Sequence, residues 1–346
     1  MHLWLPGYLA EKKRRLRLST KPKRVWLMLA DHYEPFWNRP TEEVAEKRVA
    51  EWRRKWPEIA ARHRDDAGKP PVYTFFYAEE EYRPSLLNQL ADLTSQGIAD
   101  VEVHLHHDGE GEQNFVSRIS SFVDTLHKRH GLLHLIENRP SFGFIHGDWA
   151  LDNSLPGGRC CGLNNEITLL RELGCYADFT LPSAPSPAQT QTVNQIYWAK
   201  DNPCQPRSHE RGIPVTRGGG VSGDLMMIPG PLSLWWDFPR PHPHIDTGQL
   251  GAEWLPNENR VRGWLESAPR VEEDIFLKLF THGTQEDNSA ALLGGALDHC
   301  FEEIRAACSR EGLALFFASA WQTWRAIETI RTLPPSREGS TFLRGY

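Results

Sequence analysis

Apolar runs of strand length alternate with helical patterns along most of the 346 residues. "RVWLMLAD" (24–31) predicts a buried strand, and "TEEVAEKRVAEWRRKW" (41–56) predicts a helix capped by Thr41. "PVYTFFYA" (71–78) reads as a second strand, and "YRPSLLNQLADLTSQG" (82–97) as a helix ending at Gly97. "VEVHLHHDGE" (101–110) follows as a third strand and "NFVSRISSFVDTLHKRHG" (114–131) as a third helix. "SFGFIHG" (141–147), "NNEITLLRELG" (164–174) and "CYADFT" (175–180) continue as strand, helix and strand. Residues 181–270 are rich in Pro, Gly, Asn and Trp, and "GDLMMIPGPLSLWW" is their one clear strand. The pattern returns with "EDIFLKLFTHG" (273–283), a helix near 288–309, a strand at "LALFFA" (313–318) and a helix from Trp321.

Strands that alternate with helices mean βαβ units and a parallel sheet. The expectation is a single α/β domain over 24–332 with a long irregular part at 181–270. Residues 1–23 read as an N-terminal extension and 333–346 as a tail.

Composition narrows the partners. A formal charge of -6 gives no basic footprint, which argues against nucleic acid. Thirteen tryptophans suit either a core or a platform for sugar rings. Six cysteines show no zinc-finger spacing and read as buried free thiols in a reducing compartment. The N-terminus has its charges after a short apolar run, the wrong order for a signal peptide, and no segment has the ~20 apolar residues needed to span a bilayer. The expected location is therefore cytoplasmic. The basic stretch Lys12–Arg17 reads as a solvated helix face, with peripheral contact to an anionic membrane or a biosynthetic partner as the alternative.

The chemistry collects at strand ends, where parallel α/β folds carry their sites. The first strand ends in Asp31-His32-Tyr33-Glu34 and the third in His104-Leu105-His106-His107-Asp108. The fourth ends in His146-Gly147-Asp148-Trp149 and the late one in Thr281-His282-Gly283. Four histidine-bearing ends at one edge are costly to bury together unless a metal or a substrate uses them. On the third strand Glu102, His104 and His106 share a face, and the i, i+2 histidines can clamp one ion. His107 points the other way, and Glu102 sits one step deeper as a partner for His104. His127, His130, His134 and the histidines of "PHPHIDTG" (241–248) read as surface positions.

Several stretches resemble, in order, the polysaccharide deacetylase (NodB-like) group of the glycoside hydrolase/deacetylase superfamily. "LADHYEP" stands at that group's first-strand Asp-Asp motif, and "GIADVEVHLHHD" is similar to its metal motif. "ELGCYADFT", "DLMMIPGPL" and "LKLFTHG" resemble later strands, the last of which ends in a catalytic His. "LALFFASAWQTWRAI" matches the closing strand and helix in pattern. The chain departs from the group in its first motif, in His-x-His-His for His-x-x-x-His, and in "HGDWALDNS" where an Arg-x-Pro motif belongs. A divergent branch tied to exopolysaccharide synthesis fits those departures.

The resemblance implies a distorted β/α barrel of about seven parallel strands and a divalent metal, most often zinc. It implies His104 and His106 as ligands, with Asp31 favoured over His32 as the third ligand or the base, and His282 as general acid. His146, Asp148 and Trp149 would hold a saccharide or supply a base, with Glu34 near the substrate. The implied activity is removal of N- or O-acetyl groups from a sugar. The alternatives are a non-catalytic glycan- or partner-binding barrel and a glycoside hydrolase. The last needs two carboxyl groups ~5 to ~9.5 Å apart, for which Glu34, Asp148 and Glu166 are the candidates.

Overall fold

In a computed structural model that describes residues 3–18, 20–236 and 243–334, the chain is an α/β protein with a mostly parallel central sheet. The order opens with α1 (Leu5–Arg15), β1 (Arg24–Tyr33), α2 (Glu42–Arg62), β2 (Tyr73–Ala78), α3 (Pro84–Ser95), β3 (Ala99–Leu105) and α4 (Glu112–His130). It continues with β4 (His134–Ile136), β5 (Arg139–His146), α5 (Glu166–Leu173), β6 (Cys175–Asp178), β7 (Tyr197–Ala199) and β8 (Gly212–Pro214). Then come β9 (Leu225–Met227), β10 (Ser233–Trp235), β11 (His244–Asp246), α6 (Glu258–Ser267), β12 (Arg270–Val271) and β13 (Asp274–Thr281). The described part closes with α7 (Glu286–Ala291), a π turn, α8 (Leu297–Glu311), β14 (Ala314–Phe317) and α9 (Ala320–Thr332).

The path β13-β1-β2-β3-β5-β6-β9 is parallel at every step. β1 is its hinge: it pairs with β13 along residues 24–31, with β14 at residues 24–27 and with β2 at residues 29–33. Strands in such a sheet are buried on both faces, so period-2 alternation sorts large side chains between two cores. Val25, Leu27, Leu29 and Tyr33 of β1 pack under the helices with Trp52 and Trp56 of α2. Met28 and Ala30 face the opposite core with Phe76, Phe276, Phe280 and Ala326 of α9.

The differences from the sequence reading are local. α2 runs through Pro57 to Arg62 rather than stopping at residue 56, and the irregular 181–270 stretch holds short strands and α6. Gly131 and Gly174 end α4 and α5 in the left-handed conformation (φ 67° and 99°), which glycine adopts without a Cβ penalty.

α1 is docked rather than displayed. The Arg15 guanidinium donates to the carbonyls of Asn194, Glu266, Ser267 and Ala268 and pairs with Glu11, so this part of the basic stretch is tied to the protein body. No helix among the described residues is long and apolar enough to cross a membrane. All six cysteines are free; four are buried, Cys160 is half-buried and Cys204 is exposed. His130 meets the Tyr82 hydroxyl, His134 stacks on Trp321, and His244 lies in β11 stacked on Trp235, while His242 falls outside the described residues.

Candidate functional site

Alternation decides which side chains meet. In β1 the even residues face the core that holds α9, so His32 and not Asp31 points toward the histidines of β3 and β13. Rings of His32 and His104 lie 5.2 Å apart, and those of His32 and His282 4.7 Å apart. His104 and His106 follow at 4.6 Å. Glu34, just past the end of β1, stands between them, its Oε1 3.3 Å from His104 Nε2 and 3.8 Å from His106 Nε2. Two overlapping sets of possible ligand atoms result: Glu34, His104 and His106, and Glu34, His32 and His282.

Asp31 therefore leaves the site to which the sequence reading assigned it. Its carboxylate lies on the helix-facing side and accepts from Gly283 N–H (2.7 Å) and from the Tyr73 hydroxyl (2.9 Å). Trp52 Nε1–H donates to the Gly283 carbonyl, and a Cβ on Gly283 would stand 2.2 Å from Asp31 Oδ2. Gly283 is required for this close approach. Burial pushes the Asp31 carboxyl up from 3.8 to about 7, only partly offset by its two donors. The folded state thus holds this proton more tightly than the unfolded chain, and stability tied to Asp31 falls as pH rises from about 4 to about 7. Asp31→Asn is expected to flatten that part of the profile, read as urea-unfolding stability against pH. Asp31→Ala, which orphans two donors, should cost about 1–3 kcal/mol in urea unfolding.

His104 and His106 are each held from behind by a hydrogen bond at Nδ1. His104 Nδ1–H donates to the Ile145 carbonyl (2.8 Å), which turns Nε2 toward Glu34. His106 Nδ1 meets Glu80 Oε1 at 2.5 Å, turning its Nε2 the same way. A carbonyl or carboxylate behind each imidazole is how proteins fix the tautomer of metal-bound histidine. Glu80, in the turn after β2, belongs to no histidine-bearing strand end, so strand-end chemistry does not single it out in the sequence. The run Glu79-Glu80-Glu81 at the end of β2 was the available signal.

Glu102 does not orient His104: it accepts from Tyr176 OH (2.5 Å) and Gly143 N–H (2.6 Å), and burial holds its carboxyl well above the usual range. His146 leaves the site and joins His107, which points the other way as expected, in a fully buried group with Glu166. Asp148 is exposed at φ 53° and Trp149 is half-buried at φ 56°, its ring 6.0 Å from His32 and 6.3 Å from His282.

Charge in the cluster is divided. Burial opposes ionisation of Glu34, but His104, His106 and His282 outweigh it and hold the carboxyl below its ordinary range. Burial also opposes charge on His106, yet Glu80 and Glu34 raise it to about 9. Burial lowers His282 despite Glu34, and it drives His32 far down, helped by His282 and His104. The His32 Nε2 atom is buried without a hydrogen-bond partner. Such an atom is costly unless something binds there. Two facing imidazole nitrogens, an anionic carboxylate and an orphaned third histidine fit a divalent cation well.

No family model matches the chain, and no curated protein matches it. Among solved structures, the crystal structure of 4-alpha-glucanotransferase from Thermococcus litoralis aligns with 87% of this chain and 38% of its own, at 10% identity and a TM-score of 0.44. The chain thus spans less than half the length of that protein.

Proposed function

We propose that the Glu34–His104–His106 cluster is the centre of a metal-dependent hydrolase acting on an acylated saccharide, a divergent polysaccharide deacetylase. The observation that carries the reading is the pair of imidazoles whose Nε2 atoms face one carboxylate oxygen while a carbonyl and a carboxylate hold them from behind. Each Nδ1 is already engaged by Ile145 or Glu80, so a cation between the rings, 4.6 Å apart, would let both Nε2 lone pairs and the Glu34 oxygen share one centre. Glu34, His104 and His106 would hold the ion, leaving the open position that hydrolytic sites keep. A divalent ion supplies polarisation of an acyl carbonyl and lowers the pKa of water.

The chain's own residues do the rest. His282, kept neutral by burial, takes a proton from the attacking water and returns it to the departing nitrogen or oxygen. With Asp31 on the other side of the sheet, no separate aspartate base is needed. Trp149 offers a ring beside His282 on which a sugar can stack. The barrel form is part of the same proposal. Lys278 of β13 is buried and donates to the carbonyls of Phe179 and Leu181 just beyond β6, drawing together distant parts of the strand path.

A second reading, glycosidic cleavage, is favoured by one observation. Glu81 is raised to about 7 by burial and by Glu34, which is itself held low. Carboxyl groups pushed apart in this way are how glycosidases divide acid from nucleophile or base. Acetylated oligosaccharides separate the two: acetate release that a chelator stops supports deacetylation, and new reducing ends that persist in chelator overturn it.

Ligand histidines must shed protons, and His106 holds its own up to about pH 9. Zn²⁺ binding at pH 7.5 is expected to release a proton. Calorimetry in buffers of differing ionisation enthalpy reads it, and Glu80→Gln should reduce the release.

A further inference from the structure

We propose that His107, His146, Cys161 and Glu166 form a second metal site, closed and structural, that takes a zinc-like divalent ion. All four are buried, and one ligand atom from each lies within 4.8 Å of all the others. The two Nε2 atoms are 2.9 Å apart, and Glu166 Oε1 is 3.1 Å from His107 Nε2 and 3.4 Å from His146 Nε2. Cys161 Sγ lies 3.3 Å from Glu166 Oε2. Tetrahedral zinc with bonds of ~2.0–2.3 Å sets its ligand atoms ~3.3–3.6 Å apart, so small outward shifts seat the ion.

The surroundings point the donors inward. His146 Nδ1–H donates to the Gly147 carbonyl (2.6 Å), leaving the Nε2 lone pair toward the group. His107 Nδ1 is buried without a hydrogen bond, with Glu110 Oε2 at 3.8 Å, where a ligand imidazole would direct its remaining N–H. Glu166 Oε2 is anchored by Asp152 N–H (2.7 Å). Two nitrogens, an oxygen and a sulfur are borderline-soft donors that suit zinc over magnesium or calcium. Four protein ligands leave no open position, the mark of a structural site.

The placement gives the ion a task. The site ties the end of β3, the end of β5, the loop carrying Cys161 and the start of α5 to one point. His107 follows His106 directly, and Gly147 packs so closely on His106 that a Cβ there would lie 2.2 Å from its ring. The second ion would therefore fix the wall that carries His106 and Trp149.

The test uses the full chain, stripped of metal and reconstituted with Co²⁺. A thiolate-to-cobalt charge-transfer absorption is expected in the wild type. It should survive in the Cys160→Ser/Cys204→Ser variant, which removes the two accessible thiols, and vanish in Cys161→Ala with the loss of one ion per chain. The buried ion should also resist a chelator that strips the open site. No such absorption in wild-type protein saturated with Co²⁺, or its persistence in Cys161→Ala, overturns the proposal. The wild-type spectrum keeps the test decisive if a variant fails to fold, and because Cys161 lies outside the Glu34 cluster, either site can fail alone.

Discussion

Glu34→Gln is expected to lower kcat/KM by roughly 10²–10⁴-fold, the worth of a positioned group in proton transfer or electrostatic stabilisation. Glu34 is the one residue common to both sets of possible ligand atoms around it. The amide keeps the size of the side chain but not the anion that faces His104 and His106. Its backbone carbonyl still accepts from the Thr284 hydroxyl (2.7 Å), so the local chain path should survive. Glu80→Gln should cost less, about 10–100-fold, because Glu80 acts through His106. Steady-state kinetics and metal content measured together check both variants. If Glu34→Gln keeps wild-type turnover, Glu34 lies outside the chemistry.

His282→Ala is expected to lower kcat by roughly 10²–10⁴-fold on a substrate with a poor leaving group, while leaving the fold and the ion in place. His282 lies on the side of Glu34 shared with His32, away from the proposed ligand pair. An activated ester, whose leaving group needs no proton, should lose less in the variant than an acetamide. Equal losses on both substrates remove the acid role and leave only the base role. Loss of the ion would instead make His282 a ligand.

Much of this architecture is legible in the chain because β-strand period and glycine stops are local signals. The end of β1, the His104/His106 pair and the late strand leading to His282 all follow from apolar runs closed by polar residues. What failed is what depends on a single residue of register. Asp31 and His32 are neighbours on one strand, and shifting the alternation by one exchanges them between the helix layer and the site. Family likeness favoured Asp31; β1 pairs it with Thr281 and Phe75 and turns it toward Tyr73. Glu34 and Glu80 lie beyond strand ends, where no periodicity assigns direction. The grouping of Cys161 and Glu166 with His107 and His146 depends on how residues 147–165 fold back, which no spacing in "HGDWALDNS" reveals.

The presence of an ion held by Glu34, His104 and His106 is tested most directly by anomalous diffraction above the zinc edge, on crystals grown from protein purified without chelator and supplied with Zn²⁺. The account predicts an anomalous peak within ~2.0–2.2 Å of Glu34 Oε1, His104 Nε2 and His106 Nε2. Its absence there, whether or not the His107–Cys161 group holds a peak, would contradict the account.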